Sequence, residues 1–190
     1  MKVVIAIDSF KGSMSSMEAG YAAKRGILRA CDAQITVKPL ADGGEGTTEA
    51  LVEGLGGEYV TVWVTGPLGE KTNARYGILG DGRTAVMEMA EASGIILLKR
   101  EELDPLRATT YGVGEMILDA VGRGCREFII GIGGSATSEG GAGMLQALGY
   151  DIRDKDGNPV KQGIQGLDSI DSICGENVPE VLKECHFSIA

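Results

Sequence analysis

The sequence predicts an α/β fold on a largely parallel sheet with a β-rich segment inserted into it, and three observations carry that expectation. Apolar, β-branched runs recur, each followed by a loop and then a helical pattern, as repeated strand–loop–helix units require. Thirty of the 190 residues are glycine, about twice the usual share of roughly 7%. They cluster directly after the apolar runs, at Gly12, at Gly43-Gly44 with Gly46, and at Gly131, Gly133-Gly134, Gly140-Gly141 and Gly143. Glycine in such places allows positive φ or close approach of backbone to a ligand.

The first unit opens on Val3–Ile7, a continuous apolar run of the kind a buried parallel strand shows. Asp8-Ser9-Phe10-Lys11-Gly12-Ser13 follows as a loop. Ser15 with Glu18 three residues on forms a capping box, and the helix it starts carries Met17, Tyr21, Ala22 and Ile27-Leu28 to about Arg29. The second unit begins at Ile35-Thr36-Val37, turns between Pro39 and Gly46, and enters a helix with Ala50, Leu51 and Leu55. Then the period changes. Val60, Val62 and Val64 alternate with Thr61, Trp63 and Thr65, Gly66-Pro67-Leu68-Gly69 turns the chain, Asn73–Leu79 reads as a strand, and Asp81-Gly82 is a hairpin signal before Ala85–Met89. A helix from about Gly112 to Val121 leads to the third unit, Phe128–Ile132, whose glycine-rich loop precedes a helix starting near Glu139 and running through Met144, Leu145 and Leu148. A strand at 150–153 and a turn at Asp156-Gly157 come next. The expected organisation is 1–56 as the first part of an α/β domain, 57–98 as the β-rich insert, and 99–190 as its continuation. Cys185–Ala190 reads as a buried strand in which the chain stops, so the expectation is an incomplete C-terminus, the N-terminal part of a longer protein.

Composition narrows the function classes. Eighteen basic against 27 acidic residues give a net charge of −9, and there is no Lys/Arg run, which argues against nucleic-acid or anionic-membrane partners. No apolar stretch approaches the roughly 20 residues of a membrane span, and one Lys with five apolar residues before Asp8 is too short for a signal-peptide core. The four cysteines are scattered without a C-x-x-C pair and the single histidine is His186, which fits reduced cytoplasmic thiols better than a disulfide framework or zinc site.

In open α/β sheets, ligands sit at the carboxyl ends of strands. Here those ends carry Asp8 and Lys11, then Asp42 and Glu45, then Ser135, Thr137 and Glu139. Glycine-rich entries to helices offer free N–H groups and a positive dipole end, which suit phosphate. Carboxylates nearby hold Mg²⁺ or take a hydroxyl proton, and Lys11 would neutralise charge on a transferring phosphoryl group. Together these residues equip a phosphotransferase for a small anionic substrate. Each has a plainer reading: Asp8 capping a turn, Lys11 solvated, Asp42 and Glu45 capping the helix after Gly46. His186 reads as a core or strand-edge residue, and Trp63, Tyr76, Met87 and Met89 read as packing.

Two glycine motifs compete. Gly66–Thr72 resembles a Walker A loop, but Glu70 stands in place of the glycine before Lys-Thr, the spacing is one short, and strands flank it, so it is rejected. Gly131-Ile132-Gly133-Gly134-Ser135-Ala136 satisfies G-x-G-x-x-[GA] after a strand, with Asp151 twenty residues later. That match supports a rival class, an NAD-dependent oxidoreductase of a small hydroxy acid, although the loop is longer and more polar than this fingerprint uses.

The segments Asp8–Ser13, Pro39–Thr47 and Gly131–Thr137 with Gly140–Gly143 resemble, in order and spacing, the bacterial type I glycerate kinase family, and the resemblance covers the whole chain. It implies a two-domain α/β architecture around a cleft, ATP and Mg²⁺ as cofactors, and D-glycerate as substrate, usually converted to 2-phosphoglycerate. Members are about twice this long, so the resemblance also implies an N-terminal half. Carried over to this sequence, it places Asp8, Ser9, Lys11, Asp42 and Glu45 at the cleft. Lys11, Asp42 and Glu45 are then the catalytic candidates, Asp42 and Glu45 for holding Mg²⁺ or for taking the glycerate hydroxyl proton. Asp8, Ser9, Gly43, Gly44 and the backbone of Gly133, Gly134, Ser135, Ala136 and Thr137 would bind substrate or phosphate. Ser138-Glu139 departs from the Asn-Asp often found there, which puts a direct role for Glu139 in doubt. A non-catalytic chain that only binds ligand or partner is the third class, and a homo-oligomer stays open, since a sheet cut in the middle exposes a strand edge.

Overall fold

The computed structural model describes residues 1–10 and 13–190; Lys11 and Gly12 lie outside it. The chain begins with strand β1 (Lys2–Ile7), crosses through helix α1 (Ser16–Ala30) and returns as β2 (Gln34–Pro39), parallel to β1 with Ile5 opposite Val37. The start of α1 is set locally, as the sequence predicts. Glu18 N–H donates to the Ser15 hydroxyl at 3.3 Å and Ser15 N–H donates to the Glu18 carboxylate at 2.8 Å, which satisfies two donors of the first turn. Helix α2 (Thr47–Leu55) then leads into a second sheet.

That sheet holds β3 (Gly57–Thr65), β4 (Lys71–Leu79), β5 (Thr84–Glu88), β6 (Glu127–Gly131) and β9 (His186–Ile189), in that spatial order. β3, β4 and β5 are antiparallel neighbours, whereas β5, β6 and β9 run parallel. The segment 57–98 thus gives three strands to the sheet that also carries β6. Between β5 and β6 lie a short helix α3 (Ala90–Ser93) and helix α4 (Tyr111–Gly122), and after β6 comes α5 (Ala142–Ala147). A small antiparallel pair, β7 (Asp151–Arg153) with β8 (Ser172–Cys174), follows.

Alternation along the strands decides which helix covers which face. Ala85 and Met87 of β5 pack with Tyr76, Phe128 and the α4 residues Val113, Met116 and Ile117 in the main core. Val86, pointing the other way, packs with Val52 of α2 and Leu79. β5 is therefore buried on both faces, which explains its unbroken apolar run. Tyr76 is fully buried, and its hydroxyl donates to Asp119 of α4 at 2.6 Å.

Four expectations are corrected. β1 is not buried: its residues alternate between exposed and half-buried, with Val4 68% exposed, because β1 and β2 form a two-stranded sheet with α1 packed on one face. Trp63 is 68% exposed and does not pack in the core, because it lies on the opposite face of β3 from Val60, Val62 and Val64. The final strand forms at His186–Ile189, but every residue of it is exposed rather than buried, since β9 is an edge strand with β6 as its neighbour. The helix after the third glycine cluster begins at Ala142 rather than near Glu139, because Glu139 is used elsewhere.

Candidate active site at the paired glycine loops

The loop after β2 and the loop after β6 are held together by backbone alone. Gly133 N–H donates to the Gly43 carbonyl at 3.3 Å. A side chain at Gly131 would bring a Cβ within 2.5 Å of that same carbonyl, so the approach requires glycine there. Gly43 itself is buried with φ +87°, and a side chain on it would run into the backbone of Ala190. Two of the three segments singled out in the sequence are thus in direct contact.

The clefts beside this junction carry the acids. One, of about 280 Å³, is lined by Asp8 and Ser9 from the first loop, Glu18 of α1, and Glu45 and Glu49. A second, of about 240 Å³, is lined by Glu45, Glu49, Arg75, Glu88, Glu91 and the glycines Gly133 and Gly134. Glu45 and Glu49 front both. Asp42 is exposed, and its carboxylate accepts from Gly44 N–H at 3.1 Å; it shapes its own loop and lines neither cleft. Asp8 likewise accepts from the adjacent Ser9 N–H at 2.6 Å. Lys11, the expected phosphate-neutralising residue, lies outside the described residues.

The helix N-termini do not offer what the sequence reading assigned to them. At α2, Glu88 from the end of β5 accepts from Gly46 N–H at 3.3 Å and Thr48 N–H at 2.8 Å. At α5, Glu139 accepts from Gly143 N–H at 3.0 Å and from Thr110 N–H at 2.8 Å, as well as from the Thr110 hydroxyl. Glu139 is 2% exposed and Glu88 8%. Buried carboxylates therefore fill the dipole ends that would otherwise attract phosphate, and Glu139 has an architectural role, tying α4 to α5. Burial pushes the Glu88 carboxyl above the usual carboxylate range, against the lowering effect of the two amides. Sequence inspection missed Glu88; its one signal was a lone acid at the end of an apolar strand, the position Asp8 holds after β1.

The loop 133–137 is also partly committed. Ala136 N–H donates to the Ser93 carbonyl and Thr137 N–H to the Ser135 hydroxyl, each at 2.9 Å. With Gly133 bound to Gly43, the amides without a partner among the described residues are those of Gly134 and Ser135. Ser135 and Thr137 line a third, mainly apolar cavity of about 630 Å³ beside β6, β9 and α5.

Among the described residues no group of three or more His, Cys, Asp or Glu side chains is arranged to hold an ion. Mg²⁺ needs fewer, because it is usually bound by one or two carboxylates with substrate phosphates and water completing the shell. Of the two expected ligands on this loop, Glu45 fronts the clefts and fits that mode, whereas the Asp42 carboxylate is turned to its own loop and lines neither cleft. The rival dinucleotide reading does not fit. β6 ends at Gly131 and α5 starts only at Ala142 and spans six residues, where the fingerprint needs a tight strand-to-helix turn. Asp151, its ribose partner, lies in β7 and is ion-paired with Arg153 at 2.7 Å.

An α/β fold whose glycine loops meet at strand ends, between clefts lined with carboxylates, defines the class: a protein built to hold a small polar ligand at a strand-end cleft. The family follows from comparison. A sequence model described as the glycerate kinase family matches residues 3–190, and the chain belongs to that family. It is 48% identical over its full length to glycerate 2-kinase of Escherichia coli strain K12 and 45% identical to glycerate kinase of Bacillus subtilis strain 168, covering 50% of each. A solved structure from Salmonella typhimurium LT2, assigned as a glycerate kinase 2, superposes with a TM-score of 0.92 at 49% identity, over 100% of this chain and 52% of that one. The chain spans about half the length of the curated relatives it matches.

Proposed function

We propose that the full-length polypeptide containing this chain is a cytoplasmic kinase that phosphorylates D-glycerate with ATP and Mg²⁺ to give 2-phosphoglycerate. The observation that carries the reading is the contact between the two glycine loops, with Glu45 fronting the clefts on both sides. In the reaction a glycerate hydroxyl oxygen forms a bond to the γ-phosphorus, the bond from that phosphorus to the ADP oxygen breaks, and the hydroxyl proton passes to a carboxylate. Glu45 is better placed than Asp42 to take that proton. Asp42 and Glu45 are the carboxylates of this loop that would hold Mg²⁺, which when bound would offset phosphate charge. The Gly134 and Ser135 amides and Lys11 face the same task from the protein side, with Asp8 and Ser9 forming a wall of the first cleft.

The test is nucleotide turnover by the intact gene product given ATP, Mg²⁺ and D-glycerate, with the product identified by phosphorus NMR. Glycerate-dependent ADP release with phosphate on the 2-hydroxyl is the expected result. A well-folded full-length protein without glycerate-dependent turnover would overturn the reading. In the same assay Lys11→Ala is expected to lower turnover steeply with the fold intact.

A further inference from the structure

We propose that Glu88 is a positioning residue of the site: its buried carboxylate, at the carboxyl end of β5, holds residues 42–47 and the start of α2 in the arrangement that presents Glu45 to the clefts. The inference rests on the kinase reading above and deepens it. Helix α2 has no side-chain cap of its own, because its N-cap is Gly46 in the left-handed region at φ +91°. A helix start usually draws its cap from the neighbouring chain. Here the cap comes from a strand forty residues away in sequence, so it joins the loop to the sheet rather than only finishing a helix.

Glu88 also stands where the two glycine loops meet. Its register partner on β6 is Gly131, the residue whose missing side chain leaves room for the Gly43 carbonyl and beside which the Glu88 side chain lies. Met89 N–H donates to the Gly131 carbonyl at 2.9 Å, which fixes the strand end beneath the carboxylate. Glu45, Glu49, Glu91 and Arg75 line the cleft beside it, so an acid placed here adds to a negative cluster instead of relieving one. Two amide donors one residue apart in sequence from Glu45 and Thr47 explain its presence. An ionised carboxylate accepts from both at once, whereas an amide side chain presents a donor to one of them.

The experiment uses the full-length gene product and compares wild type with Glu88→Gln and Glu88→Asp. Turnover is measured with ATP and D-glycerate, and amide hydrogen exchange is followed at Gly46, Thr48 and the β6 residues. Glu88→Gln is expected to lower kcat by about tenfold to a hundredfold, the scale of a misplacement near 1 Å, with both KM values within about twofold. The Gly46 and Thr48 amides should exchange faster while β6 keeps its protection, and Glu88→Asp should recover part of kcat. Wild-type kcat in Glu88→Gln would overturn the proposal, as would a loss of protection that extends equally to β6. If wild type itself does not turn over glycerate, the kinase reading falls, and exchange at Gly46 and Thr48 still decides whether Glu88 holds the loop.

Discussion

Glu45 and Tyr76 separate chemistry from folding at the level of single side chains. Glu45 is exposed and fronts both clefts, so its carboxylate costs the fold little to keep or to lose. Glu45→Gln in the full-length protein is expected to reduce kcat by roughly 10²–10⁴-fold, the range for removing a positioned general base, with the thermal midpoint unchanged. A variant with wild-type turnover would exclude Glu45 from proton transfer. Tyr76 is the reverse case. It is fully buried in the main core, and its hydroxyl is bonded to Asp119, which also accepts from Arg123 at 2.7 Å. Tyr76→Phe removes the donor and leaves the ring, so denaturant unfolding should show a loss of about 1.5–3 kcal/mol, the range for hydrogen bonds to charged groups, with KM unaltered.

Loops, more than helices, form the site, and their packing is the test at the scale of elements. Gly131→Ala would press a Cβ against the Gly43 carbonyl, and neither backbone can yield without moving the other loop. Overpacking of this kind costs about 1–3 kcal/mol, and the displaced loop should cost kcat at least as much as Glu88→Gln does. Gly122→Ala is the control: nothing lies within 4 Å of its added Cβ, at the end of α4, so stability should hold or rise by up to about 1 kcal/mol. Equal effects of the two substitutions would show that the loop contact has no special role. The same elements show what the sequence can disclose. The course of β1, and α1 with its capping box, were legible because every determinant lies within a few residues, whereas the burial expected of β1 was not, since it depends on what packs on the sheet. The alternation in β3 put Trp63 and the valines on opposite faces, but which face the helices cover was not legible, and the expected packing of Trp63 failed there because the helices cover the valines. The start of α5 was not legible, because Glu139 is drawn to Thr110, 29 residues back. The phosphate reading of the helix ends failed for the same reason, since Glu88 caps α2 from across the sheet.

For the molecule as a whole Glu88 and Asp119 leave a signature in stability against pH. Burial raises the Glu88 carboxyl, with Glu91 adding to the rise, despite the amides of Thr48 and Gly46. In the unfolded chain a glutamate titrates near 4.3. Between that value and the higher one in the fold, the native state holds more proton than the unfolded state. Stability is thus fully present below the unfolded value and is lost as pH rises through the folded one. Asp119 has the opposite sign: burial opposes it, but Arg123 and Tyr76 hold its carboxyl below the ordinary value, so its contribution is lost as pH falls through that lower range. The excess of acids, −9 overall, adds a general relief of repulsion on acidification. That relief is nearly common to wild type and Glu88→Gln and cancels in their difference. The thermal midpoint of wild type minus that of Glu88→Gln is therefore expected to grow as pH is lowered from about 8 to about 5, the side on which the raised carboxyl takes up its proton. A difference that stays flat, or shrinks, would mean that Glu88 is not held in the fold against its own ionisation, and that the carboxylate at the loop junction is solvated rather than buried.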